Sequence, residues 1–186
     1  MKSNKVSSGI KELDKIIGGG YYPGYVVLLA GHPGAGKTTF AASFLYYGAK
    51  SNEPGVCISF AERKEEFYRH MKSFKMDFEE LERQGKFKFI DAMTFASKDY
   101  IDELIKTIAR SVYDINAKRV VIDSISALYH IIPKNIMRAF MHSILFTLLK
   151  PLGIVTYLIV ELPLGTEVVG YGYEEFLADV VLKLIV

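Results

Sequence analysis

Tyr25-Val26-Val27-Leu28-Leu29-Ala30-Gly31-His32-Pro33-Gly34-Ala35-Gly36-Lys37-Thr38-Thr39-Phe40 joins an apolar run to a glycine-rich turn and then to a helical pattern. Residues 25–30 carry no charge and read as a buried strand. Residues 31–38 satisfy the phosphate-loop pattern G-x-x-x-x-G-K-[ST] at every fixed position. Glycines let the backbone curl so that successive N–H groups point at phosphate oxygens, and the positive end of the next helix adds to the attraction. The expected phosphate-binding residues are therefore Gly31, His32, Pro33, Gly34, Ala35, Gly36, Lys37, Thr38 and Thr39. Lys37 is expected on the β- and γ-phosphates, where it counts as a catalytic residue, and the Thr38 hydroxyl is expected on Mg²⁺.

Outward from this stretch, the chain alternates between two periods. Short β-branched runs occur at 25–30, 56–60, 86–90, 119–122 and 154–160, and a last one at 178–186. Between most of them lie helical spacings. Phe40, Phe44 and Tyr47 share one face, as do Ile101, Leu104, Ile105 and Ile108, and Met137, Met141, Ile144, Leu145 and Leu148. Strands alternating with helices of this length predict βαβ units and a mostly parallel sheet with helices on both faces, an α/β fold. Residues 8–17 read as a short helix stopped by Gly18, Gly19 and Gly20. No repeat or polar linker interrupts the chain, so one domain over 1–186 is expected.

Composition narrows the function classes. With 186 residues, 23 Lys plus Arg and 21 Asp plus Glu, the net charge is +2. That excludes nucleic-acid binding by bulk charge alone. Cys57 is the only cysteine, so neither an internal disulfide nor a cysteine metal cage can form. The longest uncharged stretch, 16–36, holds seven Gly and two Pro, which would break a membrane helix. A reducing, cytoplasmic setting is expected.

A magnesium–nucleotide site needs a carboxylate for the metal, and Asp123 supplies one at the end of the apolar run 119–122. Hydrolysis needs a group for the attacking water. Glu62 follows the run 56–60 and Glu161 follows 154–160. If the strands are parallel, both glutamates, Asp123 and the phosphate loop emerge at one sheet edge, where open α/β sheets bind ligands. His32 reads as a spacer within the loop. His70, His130 and His142 lack metal-ligand spacing and read as fillers. Cys57 reads as a small buried hydrophobe, and Glu79, Glu80 and Glu82 as a solvated helix face.

Taken together, these residues resemble a known family. Ser8-Gly9-Ile10 with Leu13-Asp14, Gly18–Gly20, Gly24, residues 31–39, Ile58-Ser59-Phe60-Ala61-Glu62, residues 120–128, Glu161 and Glu175-Phe176-Leu177-Ala178-Asp179-Val180-Val181 resemble the KaiC-like ATPases, a branch of the RecA/RadA superfamily. The resemblance implies a RecA-like core, ATP and ADP as ligands, and homo-oligomeric rings or filaments with nucleotide at the subunit interface. It places Glu62 on the second of two adjacent glutamates serving the attacking water, with Ala61 in place of the first. Ser73-Phe74 resembles the helix segment near the adenosine, which makes Ser73 a candidate nucleotide contact, although Lys75 replaces the usual glycine.

Members of that family continue past the final strand into a Lys-x-Arg element that reaches the neighbour's γ-phosphate. This sequence ends at Val186 before any such element, and truncation is expected. A cation supplied in trans is worth roughly 10³–10⁵ in turnover, so ATP binding with weak hydrolysis is the expectation.

Three other functions compete with an ATPase coupled to oligomer assembly or to an unknown protein partner. A DNA-binding recombination accessory protein would need basic loops. Lys134 and Arg138 near Tyr129 offer one, but residues 162–173 hold no Lys or Arg and carry Glu167. A small-molecule kinase would need an arginine-rich lid, and the six Arg are scattered. A nucleotide-sensing module without turnover would need only the phosphate loop.

Overall fold

The computed structural model describes residues 5–93, 100–129, 132–162 and 174–185. Six strands form one sheet: β1 Val26–Gly31, β2 Gly55–Ser59, β3 Phe87–Asp91, β4 Arg119–Asp123, β5 Val155–Glu161 and β6 Val180–Leu184. Their order across the sheet is β3-β2-β4-β5-β1-β6, and every pairing is parallel. The expected α/β fold is present.

Side chains along a strand alternate between faces, and each face here has its own core. Val26, Leu28 and Ala30 of β1 pack on one side with Val120 and Ile122 of β4. The helices α5 (Ile101–Asp114) and α6 (Lys134–His142) cover that side. Val27 and Leu29 point to the opposite core with Val121, Tyr157 and Ile159. There the cover comes from α2 (Lys37–Lys50), α3 (Lys64–Ser73) and α4 (Phe78–Arg83). Burial on both faces explains why the central strands read as continuous apolar runs rather than alternating ones. Edge strand β6 is different. Val180, Leu182 and Leu184 are half-buried, while Val181 and Lys183 are exposed.

Some helical faces sit elsewhere than their spacing predicts. Apart from Lys37, the buried positions of α2 are Ala41, Ala42, Phe44, Leu45, Gly48 and Ala49, while Phe40 is half-buried and Tyr47 is exposed. The small residues let α2 lie close on the sheet, Phe44 packs into the core against Tyr157, and Tyr47 turns outward. After α6 the chain widens into a π-helical segment, Ser143–Leu149, with the Lys150 N–H donating to the Leu145 carbonyl at 2.9 Å. Each wider turn takes one more residue, so Leu149 is buried and Leu148 only partly.

The N-terminal helix α1 is shorter than expected, Lys11–Ile16, and buries none of its residues. The stretch before it is extended because Asp14 recruits it. The Asp14 carboxylate accepts hydrogen bonds from the Ser7 hydroxyl and the Ser8 N–H at 2.7 Å. Cys57 is buried, as expected. Glu79 is exposed, but Glu82 pairs with Lys64 at 2.6 Å and Glu80 with Arg83 at 2.7 Å, so that face is partly paired. No helix of the described residues is long and apolar enough to cross a membrane.

Candidate functional site

Because the sheet is wholly parallel, the ends of β1, β2, β4 and β5 open on one edge, and a cavity of about 450 Å³ lies there. Pro33, Gly34, Gly36, Lys37, Thr38 and Thr39 form its floor. Gly34 and Gly36 both take φ of +80°, the left-handed conformation that turns the loop back on itself and starts α2. A side chain at either position would strain that turn.

Lys37 opens α2 and is buried, with Nζ donating to the His32 carbonyl at 2.8 Å. The loop thus holds its own cation. The Thr38 hydroxyl donates to Asp123 Oδ2 at 2.7 Å. Asp123 is buried at the end of β4, and burial raises its carboxyl above the ordinary range. The Thr38 hydrogen bond and Lys37 oppose that rise, while the charge of Glu161 adds to it.

This donor set fits Mg²⁺. A hydroxyl and a carboxylate are hard oxygen ligands, and magnesium commonly takes one or two carboxylates and completes its shell with phosphates and water. Among the described residues no group of three or more His, Cys, Asp or Glu could hold an ion unaided. Phosphate oxygens would have to supply the rest.

Glu62 stands beside this arrangement rather than on the cavity wall, which Ala61 lines. Ser59 shapes the turn that carries it, since its Oγ accepts the N–H of Ala61 at 3.3 Å and of Glu62 at 3.1 Å. The Phe60 N–H donates to the Asp123 carbonyl at 2.6 Å, tying the exits of β2 and β4 together. Half-burial, with Asp123 and Glu66 nearby, pushes the Glu62 carboxyl up from an ordinary 4.5 to about 7. A carboxyl near neutrality is suited to accept a proton at physiological pH.

Glu161 ends β5, is exposed, and lines the same cavity. His32 is more than a spacer: its Nδ1–H donates to the Leu162 carbonyl at 3.1 Å. Gly31, His32 and Ala35 shape the loop without lining the cavity. Ser73 is exposed and turns back on its helix, donating to the His70 carbonyl at 2.7 Å. From the same helix end, His70 and Phe74 line the cavity, with their ring centroids 5.6 Å apart.

His70 is thus a wall of the cavity and not a filler, which its spacing of four residues from Phe74 could have indicated. His142 stacks on Phe146 at 5.1 Å. His130 and most of the segment 162–173, including Glu167, lie outside the described residues.

Comparison with known proteins agrees with this geometry. The KaiC ATPase family profile matches residues 6–186. The UPF0273 protein PH0284 of Pyrococcus horikoshii is 38% identical over 140 residues, which is 68% of this chain and 57% of that protein. The chain therefore spans little more than half of that relative. A UPF0273 protein of Aeropyrum pernix is 31% identical across 97% of this chain and 77% of its own length. The circadian clock oscillator protein KaiC of Thermostichus vulcanus is 34% identical over 73% of this chain and 26% of its own. The crystal structure of the KaiC-like protein PH0186 from Pyrococcus horikoshii superposes with a TM-score of 0.85 at 40% identity, covering 96% of this chain and 79% of that one. With its phosphate loop, the strand-terminal Asp123 and the parallel sheet in this arrangement, the chain belongs to the KaiC family of ATPases.

Proposed function

We infer that this chain binds ATP on residues 31–39 and, with Mg²⁺, hydrolyses it to ADP and phosphate. The observation that carries this reading is the Thr38–Asp123 hydrogen bond of 2.7 Å beside the buried Lys37, in one cavity with the phosphate loop. Thr38 and Asp123 would hold Mg²⁺, whose charge offsets that of the phosphates. Lys37 exchanges the His32 carbonyl for phosphate oxygens. Glu62 takes a proton from water, the water oxygen attacks the γ-phosphorus, and the bond to the bridging oxygen breaks with its electron pair leaving on ADP.

Among the described residues Lys37 is the only Lys or Arg lining the cavity. One cation is little compensation for a transferring phosphoryl group, and this favours a homo-oligomer in which a neighbouring subunit supplies another. Turnover would then be coupled to assembly or to a partner. The buried, lone Cys57 is consistent with a cytoplasmic location.

The test is Mg²⁺-dependent ATP hydrolysis across a protein concentration series, with Lys37→Ala as control. Specific activity should rise with concentration and vanish in the variant. Tight ATP binding without turnover at any concentration would leave a nucleotide-sensing module instead.

A further inference from the structure

We propose that Glu161 is a positioning residue for the cation that accompanies the nucleotide, orienting the ion's bound water beside the phosphate loop together with Asp123. The proposal rests on the nucleotide-binding reading above.

The sheet order supplies the first argument. Across the edge the strands run β2, β4, β5, β1, so the exits carry Glu62, Asp123, Glu161 and the phosphate loop in that order. Glu161 therefore lies between the metal carboxylate and the loop, whereas Glu62 lies on the far side of Asp123. A carboxylate at that exit would face an ion held by Thr38 and Asp123 in the shared cavity.

The second argument is how firmly its backbone is held. Glu161 is in register with Gly31, and the next N–H, of Leu162, donates to the Gly31 carbonyl at 3.0 Å. The His32 ring grips the Leu162 carbonyl from the loop side. The Glu161 N–H donates to Ser126 Oγ at 2.9 Å, which ties it to the turn after Asp123. These ties are made by the backbone and fix the place from which the Glu161 side chain leaves the strand, and Glu161 is the one exposed residue of an otherwise buried strand. Its charge is also felt at Asp123.

The third argument is cost. Two carboxylates in one cavity repel each other and repel an arriving polyphosphate, so Glu161 opposes bare nucleotide. A divalent cation reverses that sign. Magnesium keeps several of its waters, and partners that hold such ligands from outside typically contribute 10–100-fold to metal affinity.

The experiment is calorimetric titration of ADP into the full chain, with Mg²⁺ varied and with EDTA, comparing Glu161→Gln and Glu161→Asp with the unaltered protein. For Glu161→Gln the Mg²⁺ concentration that half-maximally tightens ADP binding should rise about 10–100-fold. In EDTA the same variant should bind ADP as tightly as the unaltered protein or more so. Glu161→Asp should recover part of the Mg²⁺ response. Equal weakening with and without Mg²⁺, or an unchanged Mg²⁺ response, would overturn the proposal. If the unaltered chain bound neither ADP nor ATP, the nucleotide reading would fail and take the proposal with it. Thermal melting of the variants, at an exposed position, checks that each is folded.

Discussion

Gly48 and Arg119 are fitted to each other: a Cβ on Gly48 would overlap the Arg119 guanidinium. Arg119 is 2% exposed, lies over the Phe44 ring at 4.5 Å, and is paired with Glu53. Its Nη1 donates to the Ser7 carbonyl at 2.9 Å and to the Phe44 carbonyl at 2.8 Å. One side chain thus fastens the N-terminal segment, the phosphate-loop helix and the start of β4.

Gly48→Ala should be destabilising even though alanine is the better helix former, by about 1 kcal/mol. Displacing the buried guanidinium from Glu53, whose own side chain is 34% exposed, costs toward the low end of about 3–5 kcal/mol, so a net loss of about 2 kcal/mol is expected. That corresponds to a fall in Tm of about 4–8 °C for a chain of this size. An unchanged melting curve would show that the guanidinium can move aside freely.

The π-helical segment gives a pair of variants with opposite expectations. Leu149→Ala should cost about 2–5 kcal/mol because Leu149 is wholly buried. Leu148→Ala should cost about 1 kcal/mol or less, since that side chain is only partly covered. Denaturant unfolding of both variants measures the difference, and the reverse order would mean a regular α-helical register.

Glu62 links pH to stability and, in the proposed reaction, to turnover. Between its unfolded value near 4.5 and its folded value of about 7, the folded chain holds a proton that the unfolded chain has released. Its contribution to stability is therefore full below 4.5 and is lost as pH rises through 7. Glu62→Gln removes this loss. Its Tm should match the unaltered chain below pH 4.5 and exceed it at pH 8 by about 2–4 °C, a modest gain because the half-exposed site screens the charge. ATP hydrolysis should rise through about pH 7 in the unaltered chain and be absent from the variant at every pH. A variant that still hydrolyses ATP normally would remove Glu62 from the mechanism.

Phe74 is 53% exposed beside the phosphate loop, with His70 next to it. An uncovered aromatic ring at a nucleotide cavity offers a face to the base. Phe74→Ala should weaken ADP binding by about 1–3 kcal/mol, the usual worth of base stacking, and leave inorganic tripolyphosphate binding unchanged. Fluorescence competition between the two ligands separates base from phosphate contributions. Equal weakening of both would place the role of Phe74 in the fold instead.

Much of this was readable along the chain. All six strands lie within two residues of where their apolar runs predict them; for the four central strands the reason is burial on both faces, which favours continuous apolar residues. Residues 31–38 and Asp123 were legible for a related reason: the phosphate-loop pattern and a carboxylate ending an apolar run are local sequence features. The wall made by His70 and Phe74 was less evident. Sequence points to Ser73, but the helical turn sends that hydroxyl back to its own backbone, and His70 and Phe74, four residues apart, line the cavity instead.

Arg119 illustrates the remainder. In the sequence it is a charged residue beginning an apolar strand, and its burial depends on Glu53, Ser7, Phe44 and Gly48, which lie up to 112 positions away. Glu161 is similar: the chain marks it as a strand exit, but only the strand order sets it between Asp123 and the phosphate loop. The sequence by itself determined the parallel α/β architecture and the identity of the phosphate loop, since periodicity and local backbone chemistry act between near neighbours. Tertiary structure alone decided which carboxylate faces which, which helix face is buried and where the lone buried arginine goes. Those outcomes depend on strand order and on close packing between distant segments, which no local pattern encodes.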